Sequence, residues 1–233
     1  MAPRCRSLTY TFGFIYNFVC NRLYDWQKKF ATLAKLVSHS QSNGTSLKVL
    51  DLACGTGYLA RYLHPSVDYE GWDLNHSFLK QLKRDWKKGI IKVKHIRLRR
   101  KNIFDFEGYP KEKKDVIVFS GILHHISPRH VELMEQAKKY ADKIIICEPF
   151  AIRPEEIDAH DWPAKIAMHV MKYLPERLYK LIDIFLADND GINSYQTRQA
   201  WTFDANGLKE LYQTLEITKI YALKDEYIGI WES

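Results

Sequence analysis

The residues with the clearest chemical potential lie between Asp51 and Gly57, where the chain reads Asp-Leu-Ala-Cys-Gly-Thr-Gly. Small residues at Ala53, Gly55 and Gly57 let a ligand approach the backbone closely, and the glycines accept backbone angles that other residues avoid. A helix expected to start near Tyr58 turns its free amides toward the same space. Gly55-x-Gly57-x-x-Ala60 is also the spacing of a dinucleotide-binding turn, a weak signal by itself. Asp51 separates the readings, because a carboxylate four residues before Gly55 repels a pyrophosphate and tolerates an ammonium. The charge therefore favours a zwitterionic nucleoside without phosphate. Asp73 ends the next apolar run, 22 residues after Asp51, where a carboxylate can accept bonds from both ribose hydroxyls.

Further along, Ser120-Gly121-Ile122-Leu123-His124-His125 follows the strand-like run Val116–Ser120. A neutral histidine near pH 7 can take a proton from a reacting group, so His124 and His125 are candidate bases. Capping a helix or bonding to backbone is the plainer role for either. Glu148, at the end of the fifth apolar run, is the other candidate base or substrate anchor. Tyr195, Arg198 and Trp201 punctuate an unusual polar-aromatic stretch that can line an acceptor pocket or latch its segment to the core. No metal is expected, since His124, His125 and His130 lack the spacing of a zinc site and no paired CxxC occurs.

These residues need a scaffold. Strand-like runs at Lys48–Ala53, Tyr69–Asp73, Val93–Ile103, Val116–Ser120 and Ile144–Cys147 alternate with helical patterns at Tyr58–Leu63, Ser77–Trp86 and Ser127–Tyr140. Ser127-Pro128 is a helix-start signal, an N-cap followed by proline. Strand–helix alternation argues for a parallel sheet with helices on both faces. Glu216–Tyr221 and Tyr227–Trp231 read as a terminal hairpin that adds antiparallel strands. The fold expected is α/β, a mostly parallel seven-stranded sheet with helices on both faces and a C-terminal antiparallel hairpin. Residues 1–46 form a helical cap and linker, with apolar positions from Leu8 to Val37 at helical spacing and at most one break. Residues 47–233 form the main domain, carrying a helical insertion at about 151–200. The cap and the insertion together are expected to cover the site.

Val49-Leu50-Asp51-Leu52-Ala53-Cys54-Gly55-Thr56-Gly57-Tyr58-Leu59 resembles the first motif of class I, Rossmann-like S-adenosylmethionine-dependent methyltransferases of the small-molecule type. Ala53 stands where that motif has its first glycine, and the resemblance runs in register through Ile146. It implies S-adenosyl-L-methionine as cofactor and methyl transfer to a small organic acceptor. It also implies that Asp73 holds the ribose and Leu74 lies against the adenine face. Asn102 takes the place of an acid that accepts from the adenine amino group, with Ile103 offering its backbone amide and Asp105 as a rival. Ser120 and Gly121 match positions that contact the methionine moiety, which puts the two histidines near the transferred methyl. Positioning supplies much of the catalysis of such a displacement. The acceptor, and which of oxygen, nitrogen, sulfur or carbon receives the methyl, are not read from the sequence.

Composition bounds what remains. The 233 residues suffice for one domain with a full core, and 46% hydrophobic residues exclude a disordered chain. The four cysteines are scattered, which favours free thiols in a reducing, cytoplasmic setting, and no apolar run reaches the length of a membrane span. The net charge of +7 is concentrated in Lys80–Lys101, where eleven Lys and Arg accompany the single acid Asp85. Such a stripe can bind phosphates. It falls on an edge strand, however, where lysines discourage aggregation, and only Trp86 in the window could stack on a base. Weak, non-specific nucleic-acid binding is the expectation. The rival functions are an NAD-dependent oxidoreductase, which leaves Asp51 and the hairpin unexplained, and a methyltransferase acting on RNA.

Overall fold

A computed structural model describes residues 7–23, 25–39, 46–151, 175, 178 and 201–233. The segment expected as a helical insertion, with Tyr195 and Arg198 in it, lies outside the described residues apart from isolated positions.

Seven strands form one sheet in the order β3-β2-β1-β4-β5-β7-β6. They are β1 Lys48–Leu52, β2 Asp68–Trp72, β3 His95–Arg99, β4 Lys114–Ser120, β5 Ala141–Pro149, β6 Lys219–Ala222 and β7 Glu226–Glu232. The first five are parallel, whereas β7 pairs antiparallel with both β5 and β6. The terminal hairpin is thus present as expected. Strand order reverses between β1 and β4, and in such sheets the crevice outside those strand ends is where ligands sit.

Both faces of the sheet are buried, and residues one apart along a strand feed opposite cores. Val49, Val116, Val118 and Ile145 face Phe30, Leu33, Val37, Leu59 and Leu82. Leu50, Ile117, Phe119, Ile144 and Ile146 face Leu133, Met134, Leu208, Leu211 and Tyr212. On the first face lie α3 (Trp26–Ser38), α4 (Tyr58–Tyr62) and α5 (His76–Lys87); on the second lie α7 (His130–Ala137) and α8 (Ala205–Thr214). Gly229 of β7 is required by packing, since a Cβ there would come 2.8 Å from the Tyr212 ring.

Three expectations are corrected. The amino-terminal segment is three helices, α1 Leu8–Thr11, α2 Gly13–Leu23 and α3, where at most one break was expected. The breaks have local causes: Phe12 is extended after α1, and Asp25 caps α3 by accepting from the Lys28 amide at 3.1 Å. The helix expected from Ser127 begins at His130, with no side-chain cap. Third, β3 covers only His95–Arg99, at the edge of the sheet.

That edge strand also changes the meaning of the basic stripe. Glu70 of β2 is buried, and Arg99 and Arg97 of β3 reach it at 2.8 and 3.3 Å, with Lys114 of β4 at 3.1 Å. Burial alone would raise the Glu70 pKa; the Trp72 indole and these cations more than offset it, and the pKa falls. Two cations of the stripe therefore compensate an internal carboxylate.

Candidate functional site

A cavity of about 270 Å³ opens over the carboxyl ends of β1, β2 and β4. Ala53, Gly55, Asp73, Leu74, Asn102, Ile103, Ser120, Gly121 and His125, all singled out in the sequence, are in its wall. The wall is completed by residues the sequence did not flag, among them Tyr10, Tyr16, Asn75, Phe78, Lys101 and Arg129.

The loop after β1 alternates through left-handed backbone, with φ of 59° at Ala53, 55° at Gly55 and 78° at Gly57. The alanine pays about 1 kcal/mol for this where glycine would not. At Gly55 a Cβ would meet nothing within 4 Å, so the backbone faces open cavity. Gly57 is different. It stands at the start of α4, and a Cβ there would come 2.4 Å from Leu82, so this glycine lets the helix seat against α5 and does not line the cavity.

Asp73 is held by backbone. Its Oδ2 accepts from the Gly55 amide at 2.9 Å and its Oδ1 from the Asn75 amide at 2.6 Å. The two amides thus fix the rotamer of Asp73 before any ligand arrives. Asn75 does three jobs: it caps α5 by accepting from the Ser77 amide at 3.0 Å, braces Asp73, and donates to the Tyr10 carbonyl at 2.6 Å. That last bond ties the amino-terminal helices to the cleft. Tyr10 and Tyr16 then pack on Phe78, with ring centroids 5.6 and 4.8 Å away.

Beyond Asp73 in the same wall, the Asn102 Oδ1 accepts from the Phe104 amide at 3.0 Å, closing its own turn. One lone pair remains for a ligand donor. Asp105 is drawn toward Lys101 at 3.5 Å, which leaves Asn102 as the residue of the two in the cavity wall.

Asp51 lies behind the wall. It is buried and accepts from the Tyr69 hydroxyl at 2.7 Å. Burial pushes its pKa up to about 7; Tyr69 opposes the rise and the Asp73 charge adds to it. A carboxylate there repels a pyrophosphate only through the wall, so the charge argument drawn from the sequence weakens.

The opposite end of the cleft is organised by Glu148 of β5, which has no exposure. Its Oε1 accepts from the Ile122 and Leu123 amides at 2.8 Å each, and its Oε2 bonds to His124 Nδ1 at 2.7 Å. Burial would raise this carboxyl, but His124 and the two amides prevail and lower it. Glu148 is thus consumed by the short helix α6 (Leu123–Ile126) and has no face toward a substrate. His124 packs on His125, centroids 4.2 Å apart, and its Cε1 lies 3.9 Å from where a Gly121 Cβ would be. Trp201, the described member of the polar-aromatic stretch, sits 6.3 Å from His124 and donates to the Pro149 carbonyl at 2.9 Å. It therefore both latches its segment to β5 and borders the histidines.

The buried Ser120 Oγ in this wall has no hydrogen-bond partner among the described residues. A buried hydroxyl left unpaired costs free energy that a polar ligand would recover. Together with Asp73 at the other end and the bare Gly55 backbone between, it suits an elongated ligand with a diol at one end and polar groups at the other. Among the described residues no cluster could hold a metal ion, and no helix is long and apolar enough to cross a membrane.

Residues 49–143 match the family model described as a methyltransferase domain. Solved structures share the fold of this domain. Magnesium protoporphyrin IX methyltransferase (ChlM) from Synechocystis PCC 6803, with bound SAH, aligns with a TM-score of 0.56 and 11% identity over 88% of this chain and 81% of that one. The CurJ carbon methyltransferase aligns at 0.59 and 11%, over 87% and 53%. An O-methyltransferase family protein from Burkholderia thailandensis aligns at 0.52 and 14%, over 87% and 57%. The chain thus spans little more than half of the latter two. No curated protein sequence matches it.

Proposed function

We propose that the protein transfers a methyl group from S-adenosyl-L-methionine to a small organic acceptor. The observation that carries this reading is Asp73, a carboxylate in the cavity wall with both oxygens pre-set by the backbone amides of Gly55 and Asn75. The residues fit the cofactor: Asp73 would hold the ribose hydroxyls, Leu74 and Ile103 the adenine faces, and Asn102 the adenine amino group. Ser120 and Gly121 would meet the methionine end. S-adenosylmethionine supplies a sulfonium-bound methyl that is already activated for displacement. A small acceptor suits a cavity walled by Tyr10, Tyr16, Phe78 and His125.

For an acceptor that must lose a proton, His124 is the base and Glu148 positions it. A carboxylate at Nδ1 favours the tautomer that donates to Glu148, and Nε2 is then the ring nitrogen that would take the proton. His125 then belongs to the wall, its Nε2 standing 3.5 Å from the Tyr10 hydroxyl. The Glu148→Gln variant separates this from a purely structural role. Losing the negative charge lowers the histidine pKa, so the acidic limb of the pH–rate profile should move to lower pH while turnover falls. An unmoved profile would reduce Glu148 to a helix brace.

Equilibrium dialysis against S-adenosylmethionine and NAD tests the cofactor. Retention of the first and not the second is expected; the reverse would make the protein an oxidoreductase.

A further inference from the structure

The amino-terminal helices leave an apolar surface uncovered. Leu8 and Phe12 are exposed, and Phe14 and Phe18 keep 61% and 69% of their surface in contact with solvent. Phe14 and Phe18 are four residues apart on α2 and share one face. The rings of Phe12 and Phe14 lie 5.9 Å apart, so the apolar groups are contiguous. A patch of grouped aromatic rings marks an interaction surface more often than chance.

The patch has a cationic neighbour. Where α2 begins, a Cβ at Gly13 would lie 3.2 Å from the Gln81 Cβ of α5, and Arg84 donates to the same Gln81 side chain. From this contact α5 turns Lys80, Lys83, Arg84, Lys87 and Lys88 to solvent. Its single acid offsets none of them at the surface, because Asp85 is buried against Arg61 at 2.7 Å and Gln81 at 2.8 Å.

We propose that this face docks on an anionic lipid surface, with Phe12, Phe14 and Phe18 entering the acyl boundary and the α5 cations meeting the headgroups. Rings on one helix and cations on the next give the two-zone order that interfacial binding requires. A single-stranded nucleic acid would call for rings interleaved with cations along one groove, and here the two are segregated. A second copy docked by two-fold symmetry would bring one cationic row near the other. Tyr10 and Tyr16 belong to the same two helices, so the docked face adjoins the cavity.

Sedimentation with phosphatidylcholine vesicles, with and without phosphatidylglycerol, tests this with the whole chain and independently of the methyl-transfer reading. Binding to the anionic vesicles should be at least about tenfold tighter and should weaken with salt. Phe14→Ser with Phe18→Ser should lower it by at least about tenfold, with circular dichroism and melting unchanged, since both rings already lie in water. Lys80→Glu with Lys87→Glu should remove the preference for anionic lipid. No binding, or equal binding to neutral vesicles, overturns the proposal. So does salt-sensitive binding that ignores the phenylalanine changes, which would point to a polyanion. Phenylalanine-dependent dimers in sedimentation velocity, without vesicle binding, overturn it in favour of self-association.

Discussion

Asp73 and Glu148 stand at opposite ends of one cleft, each a carboxylate at the end of a parallel strand and each fixed by backbone amides. Their uses differ because their surroundings do. Asp73 accepts two amides and is half-buried in the cavity wall, so it faces the space a ligand would fill. Glu148 is fully buried and meets the amides of α6 and the His124 ring, so its capacity is spent within the protein. The same residue chemistry would serve as a binding group at one end and as a positioning group at the other under the proposed function. Exposure and the number of internal donors decide which.

The largest effect should come from removing the fully internal carboxylate. Glu148→Ala leaves the Ile122 and Leu123 amides and His124 without their acceptor, which costs about 3 kcal/mol or more. Urea denaturation checks this; a loss under about 1 kcal/mol would mean that Glu148 is no more structural than Asp73.

Asp51 extends the comparison to a carboxylate behind the wall. Its folded pKa is raised, up to about 7, above the unfolded value, so the folded state holds the proton more tightly. Its contribution is therefore complete at low pH and is lost as pH rises toward 7. Asp51→Asn removes that loss and should stabilise the protein at pH 8 by on the order of 2 kcal/mol, with little gain at pH 4. Melting temperatures at the two pH values measure it. A destabilised variant at pH 8 would show that the ionised carboxylate has a favourable partner.

A smaller effect is expected away from both ends. Arg99→Ala removes one of three cations around buried Glu70, and Arg99 is itself partly exposed, so about 1 kcal/mol should be lost. Reversing Arg97 and Arg99 to Glu should cost more, because two new acids would face Glu70. An unchanged stability would return these arginines to the role of edge protection.

Much of this was legible in the sequence, and the exceptions share a cause. The alternation of strand-like and helical runs and the β1 loop identify the sheet, the hairpin and the cavity over the β1 end, since those features are written in neighbouring residues. The chain does not show that Tyr10 and Tyr16 return to the cleft, because that depends on Asn75 bonding the Tyr10 carbonyl across 65 positions. Asn75 itself could have been found, as an N-cap two residues after Asp73. That Asp51 lies behind the wall is hidden for a similar reason, since its partner Tyr69 comes from the adjacent strand. Likewise Glu148 looks like a free base until α6 is seen to end on it.

The most direct test is calorimetric titration of S-adenosylhomocysteine into the parent protein and the Asp73→Ala variant. If the half-buried carboxylate is the ribose-binding group, affinity should fall ten- to a hundredfold, roughly 1.5–3 kcal/mol for charge-assisted bonds, in a variant that melts cooperatively. An unchanged affinity in a folded variant would remove Asp73 from the site and with it the contrast between the two ends of the cleft.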